Sequence, residues 1–274
     1  GADTLTTGSA ADTFNGSTAS TLDTGDTIDG GAGTDTLSAT IAATESIGPT
    51  ITRVENIKLT ATGALTVDAS DISGVTTYTS ESSTAAITIN YATAVSDLTI
   101  KSNTGNAAAT LHTFNVTDTA IVGTRDAMTI TLDNIDADTV VTLTDAGGTT
   151  NELETVTLNS IGQANTLATL TTSSVETTIL KVTGNKSLTV TNAIDANIYV
   201  IDASAHTGAA TSITGTDTTT IYFGGSGADT FVAGTAADII ISGAGNDIIT
   251  AGAGNDIVDA GAGNDIVDAG AGND

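Results

Sequence analysis

The chain has 274 residues, with 32 Asp and Glu against 6 Lys and Arg, and its formal net charge is −26. Such a charge repels nucleic acid and anionic membranes, so neither is expected as a partner, whereas divalent cations are natural counterions. The absence of Cys and Trp, with only 3% aromatic residues, excludes a disulfide-stapled domain and a large globular core.

The first 37 residues contain aspartates in pairs nine positions apart. Asp3 and Asp12 form one pair, and Asp26 and Asp35 form the other. The interval between the pairs is fourteen positions, which indicates an insertion of five residues into one coil of a nine-residue pattern. The stretch Gly30 to Thr34 supplies glycines that allow tight turns through positive φ. We interpret residues 1–37 as a metal-binding cap, with a metal-free cap of similar turns as the alternative.

Residues 38–222 form a succession of short, Thr-rich strand candidates separated by small polar turns. Leu65 to Val67, Met128 to Leu132 and Leu188 to Val190 are typical, and no stretch has a helical stripe of apolar residues. Weak self-similarity, as in Asp68-Ala69-Ser70 and Asp202-Ala203-Ser204, indicates stacked units. The pattern predicts a parallel β-solenoid. An antiparallel β-sandwich is the alternative, but hairpin turns of the Asn-Gly or Asp-Gly type are scarce.

Residues 223–274 repeat a nine-residue unit. The successive units are GGSGADTFV, AGTAADIII, SGAGNDIIT, AGAGNDIVD, AGAGNDIVD and AGAGND. Glycines at the second and fourth places permit turns that aim carbonyl oxygens inward, and the β-branched triplet that follows the aspartate suits a short strand. Two units make an eighteen-residue coil, and the identical last units predict further repeats after Asp274.

Stacked coils about 4.8 Å apart would place the repeat aspartates in two columns. One column contains Asp229, Asp247 and Asp265, and the other contains Asp238, Asp256 and Asp274. Like charges at this distance repel, and a divalent cation between successive turns would remove the repulsion. Carboxylate and carbonyl oxygens are the hard ligands that calcium prefers, so the pattern predicts several Ca²⁺ ions.

The unit resembles the RTX (repeats-in-toxin) nonapeptide G-G-x-G-x-D-x-U-x of calcium β-rolls. A solvated Gly/Asp linker would have no reason to repeat Ile-Val in phase. Ala236 replaces the second turn glycine of its unit, so the ion nearest that turn is expected to be the least secure. The candidate metal ligands are Asp229, Asp238, Asp247, Asp256, Asp265 and Asp274 with Gly227, Gly245, Gly254 and Gly263, together with Asp3, Asp12, Asp26 and Asp35 in the cap.

A second resemblance covers nearly the whole chain. The order GAGTDTL, VENIKLT, LTVDAS, LETVTLNS, KVTGNKSLTVTN and GGSGADTF is similar to RTX-type S-layer proteins of Gram-negative bacteria. That family implies a Thr-rich parallel solenoid that tiles the cell surface as a calcium-dependent two-dimensional crystal. Large RTX adhesins and biofilm matrix proteins share much of this vocabulary.

Residues suited to catalysis are few. His112 and His206 are the only histidines and carry no hydrolase motif, so we expect surface or turn positions. Carboxylates for glycoside hydrolysis would be Glu55, Glu154 and Glu176, but their shared place at the start of a strand favours a structural role. The cations are expected to pair with acidic neighbours or to lie at contacts between copies: Arg53, Lys58, Lys101, Arg125, Lys181 and Lys186.

The sequence thus predicts no enzyme but a secreted, extracellular, calcium-dependent structural protein of the bacterial surface or matrix. It would assemble with copies of itself into a surface layer, filament or matrix, with cell-surface polysaccharide as a further partner. The alternatives are an RTX adhesin or binding module, and a non-catalytic region that drives secretion and folding of a type I-secreted protein.

Overall fold

The computed structural model describes residues 3–16, 22–101, 111–117, 120–121, 126–145, 153–172 and 177–274. The regular elements in these ranges are β-strands, and no helix occurs in them. Accordingly, none of these ranges holds a helix long and apolar enough to cross a membrane. The predicted all-β class is confirmed.

The described residues form 27 strands. The first eleven are β1 (Thr4–Thr6), β2 (Thr13–Gly16), β3 (Thr27–Asp29), β4 (Thr36–Ile41), β5 (Glu45–Ile47), β6 (Thr50–Thr52), β7 (Asn56–Ala61), β8 (Leu65–Asp68), β9 (Ile72–Ser73), β10 (Thr77–Glu81) and β11 (Ile87–Ala92). The next eight are β12 (Asp97–Lys101), β13 (Leu111–Val116), β14 (Ala127–Asp133), β15 (Thr139–Asp145), β16 (Thr155–Ile161), β17 (Asn165–Thr171), β18 (Ile179–Gly184) and β19 (Leu188–Val190). The last eight are β20 (Val200–Asp202), β21 (Thr211–Thr214), β22 (Ile221–Phe223), β23 (Thr230–Val232), β24 (Ile239–Ile241), β25 (Ile248–Thr250), β26 (Ile257–Asp259) and β27 (Ile266–Asp268).

These strands form three parallel sheets. The first sheet is 12-stranded and contains β2, β4, β7 and then every even-numbered strand from β10 to β26. The second sheet is 11-stranded and contains β5, β8 and then every odd-numbered strand from β11 to β27. The third sheet contains β1, β3, β6 and β9. The predicted parallel solenoid is therefore confirmed, and the antiparallel sandwich is wrong.

The number of strands per coil changes along the chain. Between β3 and β11 the chain visits the third, first and second sheets in turn, so each coil is three-sided. From β10 onward it alternates between the first and second sheets, so each coil is two-sided. The sequence did not predict the third sheet.

Coil length also changes along the chain. Equivalent residues of neighbouring coils are 18 positions apart in the C-terminal repeat, as with Asp229 and Asp247. They are 23 positions apart at the N terminus, as with Asp12 and Asp35. The longer step agrees with the predicted insertion, although residues 17–21 lie outside the described residues. In the middle the step is longer still, with 28 positions between Asp126 and Glu154 and 32 between the paired residues Leu98 and Ile130.

The core is a narrow layer between the sheets, filled by every second residue of most strands. In β14, Met128, Ile130 and Leu132 are buried while the intervening threonines face outward. β-Branched residues suit this pleated, half-buried surface. Two aromatic pairs bridge the sheets: Tyr222 stacks on Phe231 at 4.4 Å between ring centroids, and Tyr78 meets Phe114 edge-on at 5.6 Å.

The predicted domain limits fall within strands. Residue 37 lies inside β4, and residue 222 lies inside β22. The first sheet passes both positions with parallel pairing on either side. The division into residues 1–37, 38–222 and 223–274 stays a prediction about folding units.

Candidate metal centre

The turns of the C-terminal repeat need glycine for both conformation and space. Gly243, Gly245, Gly252 and Gly254 have φ values of +96°, +140°, +97° and +147°, which side chains rarely allow. A Cβ on Gly245 would collide with the carbonyl oxygen of Gly227 and would lie 3.0 Å from Oδ1 of Asp247. Carbonyl and carboxylate oxygens therefore converge on the glycine side of each turn.

The other repeat glycines follow the same rule. A Cβ on Gly254 would collide with the carbonyl oxygen of Ala236 and lie 2.9 Å from Oδ1 of Asp256. A Cβ on Gly263 would collide with the carbonyl oxygen of Gly245. The carbonyls of Gly227 and Gly245 thus point along the stack, each toward the glycine 18 residues later.

The repeat aspartates stand in two columns joined by backbone hydrogen bonds. Along the second sheet, the N–H of Asp229 donates to Oδ1 of Asp247 at 2.8 Å, and the N–H of Asp247 donates to Oδ1 of Asp265 at 2.9 Å. Along the first sheet, Asp238 donates to Asp256 at 2.8 Å, and Asp256 donates to Asp274 at 2.9 Å. The structure therefore places these aspartates in the two columns that their spacing predicts.

The second carboxylate oxygen of three of these aspartates lacks a partner. Oδ2 of Asp238, of Asp247 and of Asp256 is buried and makes no hydrogen bond. These residues are only 1%, 1% and 3% exposed. A buried ionised oxygen without a partner costs several kcal/mol unless a cation compensates it. Columns of ionised aspartates therefore need positive charge between the turns.

The electrostatics agree with this need. Burial raises the pKa of Asp229, and the charge of Asp247 raises it further, against hydrogen bonds from the N–H groups of Gly225 and Thr211. Burial also raises the pKa of Asp238, with a further contribution from Asp256. Both shifts disfavour the ionised form in the absence of a cation. A bound divalent cation would reverse them.

The donor set fits a hard cation. In the part of the chain that the structure describes, no three or more His, Cys, Asp and Glu side chains converge so that they alone could hold a metal ion. A metal ion in these turns would therefore take one or two carboxylates and complete its coordination with backbone carbonyl oxygens and water. All-oxygen ligation of this kind suits Ca²⁺ and disfavours zinc or copper.

The N-terminal cap repeats the arrangement with a longer coil. The N–H of Asp3 donates to Oδ1 of Asp26 at 2.9 Å, and the N–H of Asp12 donates to Oδ1 of Asp35 at 2.7 Å. Oδ2 of Asp26 accepts the N–H of Asp23, whereas Oδ2 of Asp35 is buried without a partner. Asp3 is exposed and Asp12 is half-buried. The cap thus contains one carboxylate, that of Asp35, in the same state as those of the repeat.

Two residues in this arrangement were not among the predicted ligands. Oε2 of Glu55 accepts the N–H of Asp35 at 2.7 Å, and Oε2 of Glu154 accepts the N–H of Asp126 at 2.6 Å. Each glutamate immediately precedes a strand of the first sheet, as Asp238 and Asp256 do. The sequence feature that could have identified these two glutamates is their shared position immediately before a strand. Glu176 lies outside the described residues.

The expectation that both histidines lie at the surface or in turns is wrong for His112. This residue lies in β13 and is 3% exposed because its side chain points between the sheets, where burial lowers its pKa to about 4. His206 follows β20 and is 1% exposed. Its ring nitrogens lie 2.7 Å from the carbonyl oxygen of Lys186 and 2.9 Å from Oγ1 of Thr211.

Three of the cations pair with acidic neighbours. Arg53 pairs with Asp29, Lys58 pairs with Glu81, and Lys101 lies 3.7 Å from Glu81. Arg125 lies outside the described residues. These pairs lie at the surface and contribute little to stability.

Comparison with known families gives a finding for the two ends of the chain. The model of the RTX calcium-binding nonapeptide repeat (4 copies) matches residues 1–19, 22–40, 214–249, 223–258 and 242–274. The matches support an RTX-type calcium-binding repeat protein, and they include both regions where the structure stacks aspartates. A search of curated proteins found no match to the chain, and a search of solved structures found none.

Proposed function

We propose that the chain is an extracellular structural protein that folds on binding calcium and then assembles with copies of itself into a surface layer, filament or matrix. The observation that carries the proposal is the set of buried, unpartnered oxygens of Asp238, Asp247 and Asp256. They link the closed state of the coils to the presence of a divalent cation. The nonapeptide matches support calcium as that cation.

Calcium would act as a folding switch between compartments. Where free calcium is low, repulsion and desolvation of the column aspartates keep the repeat open, which suits export. Extracellular calcium sites commonly have dissociation constants of about 10⁻⁴ to 10⁻³ M, so outside the cell the sites fill and the coils close. RTX repeat proteins are typically secreted, which agrees with this order of events.

The outer surface of the repeat supports assembly. Ile248, Ile257 and Ile266 are 47%, 63% and 65% exposed, and Ile241 is 38% exposed. Ile248 and Ile266 are neighbours on the second sheet, whereas Ile241 and Ile257 lie on the first sheet, so each face of the repeat presents exposed apolar side chains, which often mark interaction surfaces. A net charge of −26 opposes contact between copies, and each bound Ca²⁺ offsets two negative charges. Association through these isoleucines would therefore require calcium.

A binding module is the second candidate function. The outward threonines of the second sheet form an aligned row through paired positions: Thr66 with Thr88, Thr88 with Thr113, and Thr113 with Thr142. A regular row of hydroxyl groups suits hydrogen bonding to a polysaccharide. An adhesin would therefore use the solenoid faces, whereas an assembly protein would use its ends or the apolar side chains.

The test is a calcium titration of the chelated, monomeric chain. Circular dichroism would follow β-structure, and negative-stain electron microscopy of the same samples would show the product at a few millimolar calcium, a concentration typical of weak extracellular sites. Sheets or filaments that form with the β signal are the expected result. Separate folded rods would overturn assembly and favour a binding or secretion module. Magnesium at the same concentration is the control and should give neither change.

A further inference from the structure

We propose that Glu55 is a calcium ligand and that it closes a cation site with Asp35 at a coil that carries no nonapeptide repeat. The nonapeptide match at this end of the chain stops at residue 40. The site would lie between the turn of residues 30–35 and the segment of residues 53–55. It would take a hard divalent cation through carboxylate and carbonyl oxygens.

The first argument is the state of Asp35. This residue is 0% exposed, and its Oδ2 is buried without a hydrogen-bond partner. Its N–H donates to Oε2 of Glu55 at 2.7 Å. In the repeat, Asp238, Asp247 and Asp256 combine the same two features, since each has an orphaned Oδ2 and an N–H donated to the carboxylate of the next coil. Glu55 thus occupies the place of a repeat aspartate.

The second argument is the carbonyl oxygen of Arg53. A Cβ on Gly30 would collide with this oxygen and would lie 2.6 Å from Oδ2 of Asp35. In the repeat, a Cβ on Gly224 would collide with the carbonyl oxygen of Ser242 and would lie 3.0 Å from Oδ2 of Asp229. Arg53 therefore presents its carbonyl where the repeat presents that of Ser242.

The backbone of Arg53 is held in an unusual conformation at this point. Its φ is +54°, in the left-handed region that residues with a Cβ avoid. The guanidinium of Arg53 is bound to the carboxylate of Asp29, with Nε 2.7 Å from Oδ1, and the next residue, Val54, is fully buried. Contacts on both sides thus hold the carbonyl in place, and strained residues of this kind cluster at functional sites.

The short segment between Arg53 and Glu55 explains why this position carries glutamate where the repeat carries aspartate. The repeat uses five steps from Ser242 to Asp247, whereas only two steps join Arg53 to Glu55. The shorter segment brings the backbone to the column at a different point, and the extra methylene of glutamate extends the reach of its carboxylate. Asp126 and Glu154 repeat the hydrogen bond at 2.6 Å, and Oδ2 of Asp126 is likewise buried without a partner.

The test counts calcium ions per full-length chain by equilibrium dialysis. Glu55→Gln keeps an oxygen that can accept the N–H of Asp35 but removes the charge. It should lose one ion per chain, or bind that ion at least about tenfold more weakly, since a charged ligand commonly contributes a factor of this size. Glu45→Gln removes the same charge from the second sheet and should leave the count unchanged.

Asp35→Asn provides a second variant should Glu55→Gln fold poorly, as judged by circular dichroism. It should lose at least the same ion, because Asp35 lies between the coils of Asp12 and Glu55, and the double variant should lose no more than Asp35→Asn alone. An unchanged count in Glu55→Gln, or additive losses in the double variant, would overturn the shared site and leave Glu55 as a hydrogen-bond acceptor only. The count is independent of assembly, so a chain that binds the ion but forms no polymer would contradict only the proposed function.

Discussion

Replacing Asp247 by Asn separates a metal ligand from a structural hydrogen-bond acceptor. The Asn carbonyl oxygen can still accept the N–H of Asp229, which now lies 2.8 Å from Oδ1, and the backbone N–H can still donate to Asp265. The change affects the second oxygen, which is buried and unpartnered. An amide group there offers N–H donors in place of a negatively charged oxygen.

The expected effect has opposite signs with and without calcium. With calcium, a charged ligand is lost, which costs about 1.5–3 kcal/mol and raises the calcium midpoint of folding about tenfold to a hundredfold. In chelator, closing the wild-type repeat buries an uncompensated charge at Asp247, and the variant removes this cost. It also removes a repulsion that adds to burial in raising the pKa of Asp229. The free energy of unfolding should then be equal to or greater than that of the wild type.

Urea unfolding followed by circular dichroism, in chelator and at saturating calcium, measures both signs. Asp268→Asn is the matched control because Asp268 is an exposed aspartate on β27, outside the columns. It should change neither free energy by more than about 0.5 kcal/mol. Equal destabilisation of Asp247→Asn in both conditions would refute the argument, because that result would make the carboxylate a structural acceptor alone.

Two further predictions concern a repeat glycine and the buried histidine. Gly254→Ala should lower the free energy of unfolding in calcium by at least about 1–2 kcal/mol, because φ of Gly254 is +147° and an added Cβ would lie 2.9 Å from Oδ1 of Asp256. The control is Gly48→Ala, whose added Cβ would make only ordinary contacts, and it should be neutral in the same urea titration. Burial lowers the pKa of His112 to about 4. The stability that depends on its neutral form is therefore complete above about pH 6.5 and is lost as the pH falls through about 4. The free energy of unfolding lost in this way amounts to at most about 3 kcal/mol. His112→Leu should remove this part of the pH dependence, and identical pH profiles for the two proteins would contradict the assignment.

The sequence predicts the repeat well because its period fixes its register. With one aspartate in every nine residues and two units per coil, the coils can stack in only one alignment. The hydrogen bonds between aspartates 18 positions apart agree with that alignment. The insertion near the N terminus was readable for the same reason, since the fourteen-residue interval exceeds the period by five.

The middle of the chain has no such period. The step from Asp35 to Glu55 is 20 positions and the step from Asp126 to Glu154 is 28, so the place of either glutamate in a column cannot be read from spacing. The third sheet escaped prediction because its strands have only two or three residues and, unlike the equally short strands of the repeat, no uninterrupted series of nine-residue units marks them. His112 was misjudged because alternation within β13, which decides its direction, depends on the strand register.

The position just before each strand of the first sheet shows how the chain limits its need for calcium. Near both ends it carries the carboxylates of Asp35, Glu55, Asp238 and Asp256. Between them it carries carboxylates again before β14 and β16, in Asp126 and Glu154, and hydroxyls before β10 and β12: Oγ1 of Thr76 donates to the carbonyl of Glu55 at 3.0 Å, and Oγ of Ser96 donates to that of Val75 at 2.8 Å. A neutral hydroxyl donates a hydrogen bond to the carbonyl of the neighbouring coil, so the coils with a hydroxyl at this position close without an ion. Metal dependence is therefore concentrated in the coils where a carboxylate stands in place of a hydroxyl. The coils without such carboxylates are stabilised by the apolar core between the sheets.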